Sequence, residues 1–163
     1  MELDQKNCQI LNLLQENCRM SLTEIADKIG LSVDSIKKRI DKLKGEVFFP
    51  RIQLRPRHFG YPIIVDVKVK LQSFAKPQID NFVAYTKAHP RVAELIAISG
   101  EYDFNLVLIA QNYTDLARLS NEIRSKFGQF IKDWAESMST HVHKFESYDL
   151  ISLMKYENDS KKI

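Results

Sequence analysis

Residues 21–43 read SLTEIADKIGLSVDSIKKRIDKL, and this stretch decides the fold of the first part of the chain. Ser21 and Glu24 have the spacing of a capping box, in which a serine hydroxyl and a glutamate carboxylate each satisfy a free backbone N–H at a helix start. The apolar residues of segment 22–29 follow at helical spacing. Gly30 is suited to end that helix because glycine accepts positive φ without a Cβ clash. The pattern therefore predicts a short helix over residues 22–29.

A second helix is predicted directly after it, with Ser32 as its N-cap. Its apolar residues form one stripe at helical spacing, namely Val33, Ile36, Ile40 and Leu43. The stripe turns other side chains toward solvent: Asp34, Ser35, Lys37, Lys38, Asp41 and Lys42. Two short helices joined by a glycine-containing turn, the second basic on its outside, are typical of a helix-turn-helix. A single helix fits the major groove of DNA, where its N-terminal side chains reach base edges.

A further helix is predicted upstream of this pair. Apolar residues recur near helical spacing over residues 4–16, and Asp4 is placed to cap the first turn. With this helix included, residues 1–46 are predicted to form a helix-turn-helix DNA-binding domain.

The positive charge of the chain is concentrated in the same region. The 163 residues carry a formal net charge of +3, and residues 61–163 hold as many acidic as basic residues. Segment 28–60 has nine Lys and Arg against three Asp and Glu. This local excess is the footprint expected of a protein that binds a polyanion. A solvated basic face has the same composition, so the architecture has to decide between the two interpretations.

Composition excludes several other classes of protein. Apolar residues make up 44% of the chain and charged residues 28%, which is close to the globular average and predicts a buried core. The longest apolar runs are far shorter than a membrane span, and no basic segment followed by an apolar one marks a secretory signal. The two cysteines, Cys8 and Cys18, cannot make a disulfide framework. We therefore expect a soluble cytoplasmic protein without a cofactor, a metal site or a membrane partner.

Residues 47–62 are predicted to form a wing or linker strand after the DNA-binding domain. The segment reads as two short extended pieces, and its prolines suit the edge of a sheet rather than its centre. Its basic residues are then either contacts to the DNA backbone or solvated linker charges: Arg51, Arg55 and Arg57.

Residues 63–156 are predicted to form a ferredoxin-like domain, with the order strand, helix, strand, strand, helix, strand. Apolar and polar residues alternate over 63–71, as in a half-buried strand. Further strands are predicted over 92–99, 102–110 and 131–145, and helices are predicted after Pro77 and over about 114–127. The fold class is therefore α+β, and residues 157–163 are expected to form a frayed tail.

The sheet of this domain is predicted to pair with a second copy of itself. The strands over 92–99 and 102–110 are apolar on the side away from the helices as well, at Ala93, Leu95, Ala97, Val107 and Ile109. Leaving such a face in water would expose a larger apolar patch than monomers usually tolerate. A symmetric dimer would also present two reading heads to successive major grooves of DNA.

Short motifs occur in a characteristic order along residues 3–145. They include Leu14-Gln15-Glu16-Asn17, Glu24-Ile25-Ala26, Gly30-Leu31-Ser32, the segment from Ile36 to Leu43, Pro56-Arg57-His58-Phe59-Gly60 and Ser99-Gly100-Glu101-Tyr102-Asp103. In this order the sequence resembles the leucine-responsive/AsnC (feast/famine) family of transcriptional regulators. The resemblance implies DNA-binding regulation by dimers that often assemble further, with a small effector, typically an amino acid, bound between regulatory domains.

The resemblance and the helix pattern together give candidate DNA contacts: Ser32, Asp34, Ser35, Lys37, Lys38, Arg39 and Lys42. Ser35 and Lys38 are expected near base edges, and Lys37 and Lys42 near phosphates. Asp34 either accepts from a cytosine amino group or stabilises the helix N-terminus. Arg39 lies beside the apolar stripe, so it is either structural or bound to a phosphate.

Candidate effector residues lie in the second domain: Ser99, Gly100, Tyr102, Asp103, Ser139 and Thr140. Gly100 permits close approach, and Tyr102 and Asp103 present a hydroxyl and a carboxylate to the ammonium of a zwitterion. Ser139 and Thr140 are expected to contribute from a neighbouring subunit. The alternative is that Gly100 only makes a turn and that Tyr102 packs in the dimer.

Two other function classes remain open. The sequence has the same two-domain layout as the sirohaem decarboxylases, which are tetrapyrrole-modifying enzymes and carry a proline-rich segment after the first helix. The corresponding segment here, Glu16-Asn17-Cys18-Arg19-Met20, has no proline, and no catalytic constellation is apparent elsewhere. An effector-binding scaffold without DNA contact is the second alternative. The role of residues 148–154 stays open. They either add a strand to the sheet or form a segment that is exchanged with a partner subunit.

Overall fold

The structure is a computed structural model that describes residues 3–72 and 75–160. The chain divides into two compact units. The first combines the described parts of segments 1–53 and 143–163, and the second comprises those of residues 54–142. The second unit therefore ends at Val142 rather than at residue 156, where the sequence placed its boundary.

The first unit contains the predicted helix-turn-helix. Helix α1 spans Gln5–Glu16, α2 spans Leu22–Ile29 and α3 spans Val33–Leu43. These helices share a buried apolar cluster made of Ile10, Ile25, Ala26, Ile29 and Ile36. The predicted capping residues set the helix boundaries, because Ser21 and Glu24 form both halves of a capping box and Ser32 Oγ accepts from Ser35 N. Gly30 ends α2 with φ 72°, which confirms its predicted role.

The linker region 47–62 differs from its prediction as a wing strand. These residues are all described, and their only regular element is a short 3-10 helix, Pro56–Phe59. A tight turn follows α3 instead, in which Val47 N donates to Leu43 O at 2.9 Å and Lys44 makes an isolated bridge with Phe48. Pro50 and Pro56 lack the N–H donors that a strand ladder needs, which explains why no strand forms here.

The second unit has the predicted βαββαβ order. Strands β1 (Ile63–Leu71), β2 (Val92–Ala97), β3 (Phe104–Ala110) and β4 (Ile131–Met138) alternate with helices α4 (Lys76–Ala88) and α5 (Tyr113–Phe127). The sheet is antiparallel with the order β2-β3-β1-β4, which is the ferredoxin-like arrangement. The expected fold is thus confirmed, with β2, β3 and β4 shorter than predicted.

The core of this unit lies between the sheet and its helices. Val65, Val67 and Val69 of β1 are fully buried, as their alternation predicted. They belong to the same buried cluster as Phe82 of α4 and Leu119 of α5. Phe82 is surrounded by other rings, since its centroid lies 5.2 Å from that of Phe127 and 5.4 Å from that of Phe104.

The outer face of the sheet is more polar than predicted. A bulge between Val92 and Glu94 changes the alternation of β2, so that Leu95 pairs with the buried Leu106 and faces the helices. Ala97 likewise pairs with the buried Phe104, so the prediction that Leu95 and Ala97 face outward is wrong. The outward orientation predicted for Val107 and Ile109 is confirmed, since they pair with Asp66 and Ile64. The outer face presents mixed side chains: Ile64, Asp66, Lys68, Lys70, Glu94, Ile96, Asn105, Val107 and Ile109.

The last strand ends earlier than the predicted residue 145. Strand β4 pairs with β1 up to Val65↔Met138, and Ser139 N still donates to Ile64 O at 2.9 Å. Strand β1 itself starts at Ile63, so the ladder has no further partner backbone and β4 stops.

The C-terminal segment is neither a strand nor a frayed tail. Helix α6 spans Leu150–Ser160 and packs on α1 within the first unit. It includes residues 157–160 of the predicted tail, whereas residues 161–163 lie outside the described residues. The first unit is therefore built from both ends of the chain.

Candidate nucleic-acid interface and effector site

The exposed side of α3 is the candidate nucleic-acid interface. Ser32, Asp34, Lys37, Lys38 and Lys42 are all exposed, while Ile36 and Leu43 are buried on the opposite side. The hydroxyl of Ser32 is occupied by its capping bond to Ser35 N, at 3.2 Å. The helix therefore presents cations along a solvent-facing surface, and the side chain of Ser32 is committed to holding the helix start.

Asp34 and Lys38 form an ion pair on this surface. Lys38 Nζ lies 2.8 Å from Asp34 Oδ2, one helical turn away, and both side chains are about three-quarters exposed (76% and 73%). Such an exposed pair is weak, on the order of 0.3–0.5 kcal/mol, so it opens at little cost. Lys38 is thus available to another anion, while the Asp34 carboxylate remains as a negative charge within a basic surface.

Arg39 is directed differently from the lysines. Its Nη1 donates to Asp4 Oδ2 at 2.6 Å and to Asn7 Oδ1 at 2.7 Å, which joins α3 to the start of α1. The bond from Arg39 holds the pKa of the Asp4 carboxyl below its ordinary value. Of the two roles that the sequence left open for Arg39, this geometry favours the structural one.

A second contact fixes α1 against α2. Lys6 Nζ donates to the backbone carbonyl of Ile29 at 2.6 Å, at the C-terminal end of α2. A cation at this end compensates the unsatisfied carbonyls of the last turn. Lys6 and Arg39 therefore hold α2 and α3 in place on α1, and neither points outward as an exposed cation.

The linker arginines are exposed, as both of their predicted roles require. Arg51, Arg55 and Arg57 lie in or beside the irregular segment, and the Arg51 guanidinium lies over the Phe49 ring at 5.5 Å. Further along, Tyr61 packs under the Arg91 guanidinium at 4.8 Å, and Arg91 in turn donates to Ile109 O. The second unit thus holds the end of the linker firmly at Tyr61.

The candidate effector residues of the β2–β3 turn lie at one end of the sheet. Ser99 and Gly100 are exposed, and Gly100 has φ 144°, a conformation that favours glycine. Tyr102 donates its hydroxyl to Asp133 Oδ2 at 3.0 Å, and this bond raises the pKa of the tyrosine. The Lys68 ammonium lies 5.8 Å from the centre of the Tyr102 ring.

Asp103 has a structural partner that the sequence did not indicate. Its Oδ2 accepts from the backbone N–H of Leu71 at 2.7 Å, and its Oδ1 lies 3.5 Å from Lys70 Nζ. One oxygen thus closes the end of β1, and the other is shared between Lys70 and any ligand that binds here. Asp133 and Lys68 were not predicted as site residues, since each is merely one polar position of an alternating strand until the sheet brings it beside Tyr102.

Ser139 and Thr140 lie at the opposite end of the same sheet. Ser139 Oγ donates to Asp66 Oδ2 at 2.7 Å, and its backbone pairs with Ile64. Asp103 instead lies beside Leu71. The strand between Ile64 and Leu71 separates the two groups by about 20 Å. One chain therefore does not bring all the predicted effector residues together.

The described residues show neither a membrane-spanning helix nor a metal-binding cluster. No described helix has the length and apolar character needed to cross a membrane. Within residues 3–72 and 75–160, no cluster of three or more His, Cys, Asp or Glu side chains is arranged to hold a metal ion.

Both units match known domain families. Residues 3–44 match the AsnC-type helix-turn-helix domain, and residues 63–142 match the Lrp/AsnC ligand binding domain. The leucine-responsive regulatory protein of Rhizobium meliloti is 32% identical over 114 residues, which are 69% of this chain and 73% of that protein. The glutamate uptake regulatory protein of Zymomonas mobilis is 28% identical over 127 residues, 77% of each chain.

Solved structures share the same two-part layout. A transcriptional regulator from Neisseria meningitidis, determined as a complex with L-Met, superposes with a TM-score of 0.82 at 23% identity and covers 93% of this chain and 99% of its own. AsnC of E. coli superposes with a TM-score of 0.78 at 21% identity, covering 91% and 99%. At these identities the structural likeness establishes the fold alone.

Proposed function

Because the chain belongs to the Lrp/AsnC family of transcriptional regulators, we propose that it acts in the cytoplasm as a sequence-specific regulator that binds double-stranded DNA as a homodimer or larger oligomer. A small effector, such as an amino acid, modulates this binding. The exposed basic side of α3 is the observation that carries the proposal. Its relatives are named as regulators, which favours this function over an enzyme of the same layout.

The DNA-binding surface follows from the way α3 is mounted. Lys6 and Arg39 face inward and hold the helices together, while Lys37 and Lys42 face outward on a helix of groove-fitting size. Neutralising phosphates with these lysines releases counterions from the duplex, so affinity falls steeply with salt. Base contacts then come from the N-terminal part of α3, at Ser35 and Lys38.

Selection from random duplexes at low ionic strength tests this function. We expect the wild-type chain to enrich related half-sites, and the Lys37→Glu/Lys42→Glu variant to enrich none. Lys87→Glu reverses an exposed charge on α4 and is the matched control; we expect it to enrich the same half-sites as the wild-type chain. Failure of the wild-type chain to enrich any sequence would refute DNA recognition and favour a scaffold that binds only the effector.

The effector site is proposed to form between copies of the chain. The turn around Gly100 and Tyr102 offers Lys68 to a carboxylate and the Asp133 and Asp103 carboxylates to an ammonium. Ser139 and Thr140, at the far end of the sheet, then belong to a site completed by another protomer. This arrangement explains why residues about 20 Å apart in one chain serve one function.

Calorimetry with the twenty standard amino acids tests effector binding, and light scattering coupled to size exclusion tests assembly. In the calorimetry we expect binding heat with at least one amino acid. In the light scattering we expect a mass of at least twice 19.0 kDa, the mass of one chain. Absence of heat with every amino acid would exclude simple amino-acid sensing. A mass of one chain at micromolar concentration would exclude the shared site.

A further inference from the structure

Helix α6 is held on α1 by directional contacts rather than by apolar packing alone. The side-chain amide of Gln15 pairs with the backbone of Tyr148, since Nε2 donates to the carbonyl at 2.9 Å and Oε1 accepts from the N–H at 3.0 Å. One turn earlier, the amide of Asn12 donates to the side-chain Oδ1 of Asp149 at 3.0 Å and accepts from the backbone N–H of Leu150 at 3.1 Å. These contacts fix where α6 begins.

A buried contact continues the attachment along α6. Cys8 Sγ lies 3.2 Å from Met154 Sδ, and the Cys8 side chain is only 1% exposed. At 3.6 residues per turn, Cys8, Asn12 and Gln15 share one face of α1. Ile10, Leu13 and Leu14 lie on the opposite face, against α2 and α3. Helix α1 is therefore packed on two sides, and α6 is a fourth helix of the DNA-binding unit.

This attachment gives the DNA-binding unit a second covalent link to the sheet domain. The first link is the linker that follows α3, and the second is segment 139–149, between the end of β4 and the start of α6. The second link begins at Ser139 and Thr140, the candidate effector residues. Segment 139–149 therefore joins the end of β4 directly to the helix that packs on α1.

We propose that α6 is a latch that couples the end of β4 to the DNA-binding unit, so that its docking on α1 favours DNA binding and its release weakens it. The proposal rests on the proposed function. When the DNA-binding units of two chains bind one duplex, each unit loses orientational freedom. A unit held by two links has less of this freedom to lose than a unit held by one, so its affinity is higher without new contacts to DNA. Binding of one isolated head gains little from the latch.

Removing the amide contacts tests the latch. The Asn12→Ala/Gln15→Ala variant is expected to expose α6 to faster amide hydrogen exchange than the wild-type chain. Its affinity for a duplex with two half-sites should fall by about tenfold, with less than about a twofold change for one half-site. Gln5→Ala, an exposed glutamine on the same helix, is the matched control and leaves exchange and affinity unchanged.

A reversible lock tests the same latch from the other direction. A Cys18→Ser/Met154→Cys variant places a second thiol near Cys8, and a count of free thiols shows whether oxidation joins the two. The joined form keeps α6 docked, and reduction releases the lock. Ser139→Ala, which removes the bond to Asp66, is expected to speed exchange in α6 when the lock is reduced and not when it is oxidised. Ser137→Ala, two residues earlier and within β4, is the control.

Each outcome decides a separate point. Unchanged exchange of α6 in Asn12→Ala/Gln15→Ala would refute the docking, and free α6 with wild-type affinity for both duplexes would refute the latch. Equal losses on one and two half-sites would show that α6 only stabilises the fold, which also overturns the proposal. A wild-type chain that binds no duplex at all would overturn the proposed function, and with it the regulatory role of α6.

Discussion

Arg39 Nη1 lies 2.6 Å from Asp4 Oδ2, so one of the cations of α3 is turned onto the start of α1 rather than into the candidate nucleic-acid interface. Asn7 accepts from the same nitrogen, which makes the contact directional. The candidate DNA-binding surface of α3 is therefore narrower than its basic composition indicates, and it consists mainly of lysines.

Replacing Arg39 by Ala should lower stability more than DNA affinity. We expect a loss of about 1 kcal/mol in the free energy of unfolding, because the pair is partly exposed and screened by solvent. Urea unfolding measures this loss. Under conditions in which the variant is still folded, its DNA affinity should depend on salt as that of the wild-type chain does. A slope of log affinity against log salt that is shallower by about one would instead assign Arg39 to a phosphate.

The same pair predicts a difference in acid sensitivity. Arg39 lowers the pKa of Asp4 in the folded state. The ionised carboxylate therefore stabilises the fold fully at pH values above its unfolded-state pKa, about 3.9. This contribution is lost as the pH falls through the lowered folded-state pKa. The gap in stability between wild type and Arg39→Ala should therefore narrow in acid.

Lys37→Ala and Lys42→Ala should each weaken binding to all duplexes alike. Each removes one exposed cation, so the salt slope should become shallower by about 0.9 for each phosphate that the variant no longer neutralises. Fluorescence anisotropy across a salt series measures the slope. Lys87→Ala on α4 is the control, and an unchanged slope in both test variants would place the DNA elsewhere.

Asp34→Asn should strengthen DNA binding. The change removes a carboxylate from the basic surface and frees Lys38, whose ammonium lies 2.8 Å from it. We expect a gain of about two- to tenfold in affinity at low salt, which disappears as salt screens the charges. A loss restricted to duplexes with one particular base would instead show that Asp34 reads a cytosine amino group.

Tyr102→Phe should separate effector binding from stability. The hydroxyl bonds to Asp133 on the outer face, so its removal should leave the unfolding transition in place and lower affinity for the best-binding amino acid by about tenfold. Asp103→Asn should behave differently, because Asp103 also accepts from Leu71 N and its loss destabilises the end of β1. Calorimetry beside thermal unfolding distinguishes them, and equal effector affinity in Tyr102→Phe and wild type would remove Tyr102 from the site.

The docking of α6 should resist mild acid. Hydrogen bonds from Ser152 lower the pKa of Asp149 to about 2 in the folded chain, compared with about 3.9 in the unfolded chain. The carboxylate therefore stabilises the start of α6 fully at pH values above about 3.9. This stabilisation is lost as the pH falls from about 3.9 to about 2. Hydrogen exchange of α6 between these limits measures the loss. Asp149→Asn should show faster exchange already at neutral pH, whereas Asp80→Asn on α4 should not.

The sequence predicted best those features that are set by neighbouring residues. Ser21, Gly30 and Ser32 fix the ends of α2 and α3 by bonds within a few residues, so the helix-turn-helix was predicted with accurate limits. The alternation of β1 likewise revealed its buried face. Local patterns of this kind need no knowledge of the rest of the chain.

Features that depend on distant partners were missed. The end of β4 is decided by where β1 begins, and the orientation of Leu95 by a bulge opposite β3. Four apolar residues within 150–154 fit a strand as well as a helix, and only their contact with α1 decides the matter. The role of Arg39 likewise depended on Asp4, which contacts it in space but lies far from it in the sequence.

The return of α6 to α1 also orders events during synthesis. Chains are translated from the N-terminus and their domains generally fold as units in that order. Here the side of α1 that carries Cys8 is covered only after residues 150–160 have left the ribosome. The first unit is therefore completed last, after all four strands of the second unit have been synthesised.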